Sequence, residues 1–575
     1  MSAYRSTALL FFRRMRLPLI VLISAYSIAT VGFTLMPGQD ADGNPWRMSL
    51  FDAFYVVSYT GSTIGFGEVP YEFSKAQRLW TMVSIYLTVI AWLFSIGSII
   101  SLMQDPAFAQ AVRGARFRRA VRNYDQPFYL LCGFGDTGRL LTRTLAELRH
   151  PMVVIDHAPD KIDSLSIETY PSPVNGSCMD ARLPENLVAA GLQNRWCMGV
   201  LAATADDAAN LKIAVSARLL NQRAAVYARA DEQHVADNMR SFQTAHVVNP
   251  AAEFVRRLRM LLTRPQMYRL YQWLRSSPDA AIPELPHAPR GRWILCGFGR
   301  FGKAVYEALH ALDIELTVVE ENTDLEGLPE GTVIGRGTQP ETLEAAGIDS
   351  AVGLLATTRD DVDNLSILIT ARSMNKDLFV GALANAWSSE GLFRAAEPDF
   401  LAQPGALIAG TIISHIRSPL LNQLFERLES ADDDLARQML ERIAPDPHRA
   451  EQPELFTVRL SKKRAPALYW LREHGFTVDV SLFQRHPTRP RERVPVEVLM
   501  LSRGDEDHLL PAADTVLESG DRLLVACPPA LSGRMRVLVE NEAAAYRALT
   551  GHELHQGWLL NKLGLGPSLP SSPSG

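Results

Sequence analysis

Two short stretches of this chain have the composition of a phosphate cradle: Gly133, Phe134, Gly135, Asp136, Thr137, Gly138, and Gly297, Phe298, Gly299, Arg300, Phe301, Gly302. In such a G-x-G-x-x-G the first glycine permits a tight turn and the second lets backbone approach a pyrophosphate. The third allows helix to pack closely on strand. Amides at the start of the following helix then face the phosphates. An acid follows each motif about twenty residues on, Asp156 and Glu320, where it can accept hydrogen bonds from ribose hydroxyls. A third stretch, Thr63, Ile64, Gly65, Phe66 and Gly67, suggests different chemistry. Its carbonyls, with the Thr63 hydroxyl, can replace the water around a dehydrated cation if four copies surround an axis. Gly65 and Gly67 supply the backbone conformations that turn successive carbonyls inward.

The elements that must position Thr63–Gly67 are apolar. Residues 17–39 and 79–104 contain no charged residue, and as helices they would extend about 34 and 39 Å, enough to cross a bilayer. A signal peptide is the competing reading of the first run, but the run is too long and lacks a small-residue cleavage site. Arg5, Arg13, Arg14 and Arg16 precede the first run, and Arg113, Arg116, Arg118, Arg119 and Arg122 follow the second. That bias predicts both termini on the cytoplasmic side of the cell membrane, with the loop 40–78 facing outward. Residues 48–60 are apolar but too short to span, so they read as a re-entrant pore helix whose C-terminus points partial negative charge at residues 63–67. Gly97, midway along the second span, reads as a gating hinge or as a site of close helix packing.

The rest of the chain is duplicated. Gly133 recurs as Gly297 and Asp156 as Glu320, at an offset of 164 residues; Asn210 recurs as Asn364 and Pro250 as Pro404, at 154. Each copy alternates apolar strands with helix-compatible stretches, which predicts two doubly wound, Rossmann-like α/β domains. Leu258 to Leu274 and Ile412 to Leu428 read as single crossover helices docking one lobe on its neighbour. Arg300 places a cation where phosphates would lie and Asp136 occupies the matching position in copy one. Copy two is therefore expected to prefer a more highly charged adenine nucleotide, and copy one NAD or no ligand. Past residue 452, three strand-like runs and an "ESGD" turn predict a small α+β lobe.

The segment "TIGFGE" is similar to the potassium-channel signature, with Ile64 and Phe66 in place of valine and tyrosine and Glu68 in place of aspartate. Both duplicated domains resemble RCK domains (TrkA-N-like), which regulate potassium conductance, and 452–530 resembles the RCK C-terminal, TrkA-C-like, lobe. "GSCMD" and "GRGTQ" depart from the family's usual G-D-A/G-T near Gly176 and Gly335. The resemblance implies a two-span prokaryotic channel assembled as a homotetramer in the lipid bilayer. Potassium is its permeant ion, and its cytoplasmic gating ring is regulated by NAD(H) or an adenine nucleotide. The expected organisation is a pore domain over 1–104 with filter 63–67, a linker 105–126, RCK domains over 127–275 and 291–445, a proline-rich linker 276–290 between them, the C-terminal lobe 452–530 and a tail 531–575.

Other functions fit less well. The formal net charge of −5 offers no support for whole-chain nucleic-acid binding. Five scattered cysteines without a C-x-x-C read as reduced cytosolic thiols rather than a zinc site. Asp206, Asp207, Asp360 and Asp361 invite a calcium site, yet a solvated helix N-terminus explains them better. His157, His246, His415 and His508 share no ligand spacing. An NAD-dependent oxidoreductase would need a proton donor near the nicotinamide, and no Tyr-x-x-x-Lys pair or His/Asp constellation follows either fold, so the chain reads as a non-enzyme. A weakly selective cation channel and a non-conducting nucleotide sensor are the remaining alternatives.

Overall fold

The computed structural model describes residues 2–554 apart from 243, 245, 277–279, 286–287, 447–449 and 487. It divides into two units: residues 1–126 with 175–179 and 188–196, and the remainder.

The first unit is helical. Its N-terminal helix runs Ser2–Leu35, and Met15–Leu35 is the stretch apolar enough to cross a membrane. The expected span over 17–39 thus ends four residues early. Pro37 has no N–H to extend the helix, and Pro37–Gln39 instead pairs antiparallel with Pro45–Arg47. The second spanning helix, Lys75–Gln104, starts before the expected Leu79 because Ser74 and Gln77 form a capping box at its N-terminus. Only 33% and 22% of the apolar windows of these two helices are buried, so neither is the core helix of a soluble domain. They pack on each other through Trp80, whose indole donates to the Ala29 carbonyl (3.0 Å) and covers Gly32. Between them stands a 12-residue helix, Leu50–Gly61, capped by Ser49. The expected linker after residue 104 is itself a helix, Pro106–Arg122.

The second unit holds the duplicated lobes. Within this unit copy one has strands in the order Met152–Asp156, Phe128–Cys132, Cys197–Ala202, Ala225–Arg229, His246–Val248. The five strands from Met152–Asp156 onward pair in parallel. Copy two repeats the arrangement with Val333–Ile334, Leu316–Glu320, Trp293–Cys296, Gly353–Ala356, Phe379–Leu383 and Phe400–Ala402, all parallel. The first strand of each copy is central and the order reverses beside it, which opens a crevice at the carboxyl ends of the strands.

Each expected crossover helix is two helices: Pro250–Thr263 then Pro265–Arg275, and Pro404–Arg417 then Pro419–Leu428. Pro265 and Pro419 lack an N–H and push Arg264 and Ser418 off helical dihedrals. The lobes exchange these helices. Ile408, Ala409 and Ile412 of copy two complete the core of copy one, while Phe254 and Leu258 of copy one pack with Phe298 and Val305 of copy two. At that junction Glu253 is buried and accepts from Arg256 (2.9 Å), Arg257 (3.0 Å) and the Tyr271 hydroxyl (2.8 Å). Burial alone would raise its carboxyl, but Arg256 and Arg257 beside it hold it down at about 2.

The C-terminal lobe is a four-stranded antiparallel sheet, Glu454–Arg459, Arg522–Cys527, Glu497–Arg503, Glu506–Leu509. The tail expected from 531 is corrected up to residue 554: helices Pro529–Glu540 and Glu542–Thr550 place Met535, Leu538, Ala545 and Tyr546 in this lobe's core. Residues 555–575 lie outside the described residues.

Candidate functional site

The Leu50–Gly61 helix, one residue offset from the expected 48–60 at its end, delivers the chain to the Thr63–Gly67 stretch. Its C-terminus ties down the amides that follow: Thr63 N–H donates to the Thr60 carbonyl (3.1 Å), and Ile64 and Gly65 both donate to Tyr59 (2.9 and 3.4 Å). Thr63, Gly65 and Gly67 have φ of +61°, +66° and +98°, alternating with Ile64 and Phe66, which lie outside that region. Reversing the backbone hand at every second residue cancels the up–down alternation of an extended strand, so consecutive carbonyls share a side. Among the described residues the carbonyls of Thr63, Ile64, Gly65 and Phe66 accept no hydrogen bond. A run of four free backbone oxygens is a ligand set for a hard cation.

Residues outside the motif hold it. The Tyr59 hydroxyl donates to the Gly67 carbonyl (2.5 Å), and Phe66 stacks on Tyr55 and meets Tyr59 edge-on. Tyr59 thus gives this loop a hydroxyl hydrogen bond that the Phe66 ring cannot make. Glu68 accepts from Phe73 N–H (2.7 Å) and, bidentately, from Arg78 (2.8 and 3.1 Å), which fastens the loop exit to the start of the second spanning helix. Gly61 has a packing role distinct from Gly65 and Gly67: a Cβ there would overlap the Tyr26 hydroxyl and sit 2.9 Å from its ring. Sequence reading missed Tyr59 and Arg78; an aromatic on the last turn of the half-helix was the available signal. Gly97 lies within an unbroken helix, and a Cβ there would meet nothing within 4 Å, so packing inside one chain does not require a glycine.

In both Rossmann-like lobes the glycine turns have the geometry that their spacing implies. A Cβ at Gly138 would overlap the Gly133 carbonyl oxygen and one at Gly302 the Gly297 oxygen, whereas Gly135 faces open space and Gly299 has only Arg359 Nε at 4.0 Å. The middle glycine therefore leaves a cradle that a side chain would fill. Asp156 and Glu320 brace these turns from below: one oxygen of each accepts from Phe134 N–H (2.7 Å) or Phe298 N–H (2.6 Å), the other from Ala158 or Asn322 N–H. A carboxylate retains further lone pairs after two such bonds, so accepting from ribose remains within their capacity. Buried Asn210 and Asn364 make matching bonds to Thr204 and Thr358 and to the carbonyls of Arg229 and Leu383, locking the far wall of each crevice.

The copies differ in charge, though not where the sequence suggested. Arg300 turns to Asp231 of copy one (3.4 Å), and Asp136 accepts from Trp387 N–H of copy two (3.2 Å). Both side chains link the lobes, which corrects the reading of Arg300 as the phosphate cation. Copy two instead has a cavity of about 280 Å³ at Gly299 that brings the cations Arg336 and Arg359 beside the carboxylates Glu320, Glu321, Asp360 and Asp363. Arg336 pairs with Glu321 (2.6 Å), whereas Arg359 has no ion-pair partner among the described residues. Ala205 occupies the position of Arg359 in copy one. Comparing the copies at the offset of 154 would have exposed this difference.

Asp206 and Asp360 cap their helices, and Asp207 and Asp361 accept from backbone N–H groups of residues 231–232 and 385–386. That use leaves them as structural acceptors rather than a calcium cluster. The Cys296 thiol, beside the second turn, is raised to about 12 by burial and by Glu320, so it is no nucleophile.

Residues 20–105 match the ion channel family, and 129–250 and 293–404 match the TrkA-N domain. Potassium channel protein 1 of Methanocaldococcus jannaschii is 25% identical over 231 residues, 40% of this chain and 64% of that protein. Probable potassium channel protein 2 of the same organism is 25% identical over 201 residues, covering 35% and 57%. The chain thus spans less than two thirds of the length of these curated relatives. Among solved structures, the GsuK channel bound to NAD aligns with 94% of this chain and 100% of its own at 17% identity and a TM-score of 0.46. GsuK bound to ADP aligns over 71% and 99%, at 19% identity and a TM-score of 0.43.

Proposed function

We propose that four copies of this chain, whose residues 20–105 match the ion channel family and whose residues 129–250 and 293–404 match the TrkA-N domain, form a potassium channel gated from the cytoplasmic side by nucleotide. The carrying observation is the run of four free carbonyls, Thr63 to Phe66, at the end of a half-length helix between two membrane-length helices. Non-helical backbone at membrane depth must be covered by protein or line a water-filled path. Ile64 and Phe66 are 61% and 63% exposed in one chain, which favours cover by neighbouring copies around an axis. Each copy then contributes one strand of carbonyl oxygens to a dehydrated potassium ion.

The cytoplasmic lobes bind the regulator. In copy two, the open cradle over Gly299, the braced turn and the cations Arg336 and Arg359 suit an adenine nucleotide with two or more phosphates. Copy one, with Ala205 in place of the second cation, suits NAD(H) or a less charged ligand. A ligand moves the gate only by binding one ring conformation better than the other. Purified protein in potassium-loaded vesicles tests the reading: barium-blockable flux supports it, and silence under NAD, NADH, ATP, ADP and calcium applied in turn refutes it. Bi-ionic reversal potentials for potassium against sodium decide a second reading, a weakly selective cation pore, which the missing hydroxyl of Phe66 favours and the Tyr59 brace opposes.

A further inference from the structure

Two histidines that share no sequence spacing meet where the lobes exchange helices. His246 starts the edge strand of copy one, and His415 lies near the end of the Pro404–Arg417 helix of copy two. Their ring centroids are 3.9 Å apart, with Tyr227 stacked on the far side of His246 at 5.3 Å. His415 Nδ1 donates to the Thr411 carbonyl (2.8 Å), so its proton lies on the nitrogen engaged with its own helix. We propose that this pair is a proton-operated latch: protonating either ring pushes the Pro404–Arg417 helix off copy one.

The surroundings leave little to compensate an added proton. Arg275, from the neighbouring Pro265–Arg275 helix, opposes a charge on His415; Glu426 and Glu253 favour it from farther along the packed helices. Glu253 is already engaged by Arg256 and Arg257. On other packed elements, Arg229 is paired with Asp231, Asp237 with Arg240, and Arg139 with Glu168; Arg143 and Glu147 complete the charges of the Asp136–Glu147 helix. Burial and the facing ring of His415 hold His246 down at about 4, and burial holds His415 below its ordinary range.

The sign follows from linkage. A released imidazole takes a proton near 6.5, docked His246 only nearer 4 and docked His415 below its ordinary range, so the docked state binds fewer protons. Docking is at full strength above about pH 6.5 and weakens as pH falls toward 4. Because His246 is half-exposed, solvent screening reduces the expected effect to about tenfold over that window.

The helix also carries the signal. At its other end Gly405 faces the first glycine turn so closely that a Cβ there would sit 3.4 Å from Thr137. Release of the helix would therefore loosen that turn as well. This last step rests on the nucleotide reading above; the latch itself does not.

Hydrogen exchange of the full-length protein in lipid nanodiscs, corrected for intrinsic chemistry, tests the latch at pH 7.5 and 5. Protection of amides 405–417 and 246–248 should fall about tenfold in the parent. It should not fall in the double variant His246→Phe/His415→Asn, which keeps a ring on Tyr227 and a side-chain donor toward the Thr411 carbonyl but has no group to protonate. No fall in the parent, or the same fall in the double variant, overturns the proposal. Should the double variant not assemble, His246→Phe alone decides, since an undiminished fall there also overturns it. Nucleotide takes no part in this measurement, so failure of the nucleotide reading leaves the outcome distinct.

Discussion

Replacing Arg359 by alanine should weaken nucleotide binding at copy two more than replacing Arg336, the other cation of that cavity. Its guanidinium borders the crevice above Gly299 and has no ion-pair partner among the described residues. A hydrogen bond to a charged group contributes about 1.5–3 kcal/mol. Arg359 is exposed, which sets the expectation near the lower end, about 1.5–2 kcal/mol, or roughly ten- to thirtyfold in Kd. Arg336 must first leave Glu321, its partner in a solvent-exposed pair, so Arg336→Ala should cost less, about two- to tenfold. Glu321→Gln should do the opposite, freeing Arg336 and removing a negative charge, for a severalfold gain. Calorimetric titration of the full chain with ADP in nanodiscs measures all three. Equal affinity for the parent and Arg359→Ala, or a loss with Glu321→Gln, would refute the assignment of phosphates to this wall.

Three further outcomes are expected. Gly61→Ala should destabilise the pore assembly by about 1–3 kcal/mol through overlap with Tyr26; Tyr26→Phe should restore part of it, read as the melting temperature of the detergent-solubilised protein. Glu253→Gln should cost about 3–5 kcal/mol by leaving Arg257 without its buried carboxylate and Arg256 with Glu429 alone. The same carboxylate, held at about 2, makes the parent lose stability as pH falls from about 4.5 toward 2, so denaturant midpoints should drop over that window in the parent and less in the variant. Truncation after residue 530 should expose the C-terminal lobe's core by removing Met535, Leu538, Ala545 and Tyr546, and limited proteolysis of residues 454–527 should accelerate; unchanged cleavage would contradict the packing.

Features governed by composition and short spacing were legible from the residues alone. The two membrane-length helices follow from uncharged runs, and the duplicated Rossmann order from alternating strands and glycine turns, because burial and backbone sterics act within a few residues. The half-helix before Thr63 was legible for the same reason. Its boundaries were less so: Ser74 and Gln77 cap the second span, and Pro37 ends the first.

Tertiary structure decided which side chains meet. Arg300 has the right position in its motif for a phosphate, yet folding brings Asp231 from the other lobe within 3.4 Å and claims it. Arg359, 59 residues further along the chain, takes the open wall because the fourth strand returns beside the first. His246 reaches His415 through the helix exchange between the lobes. Local sequence sets backbone conformation through near-neighbour sterics. The partners of a long polar side chain depend instead on distances closed by packing, which no spacing along the chain encodes.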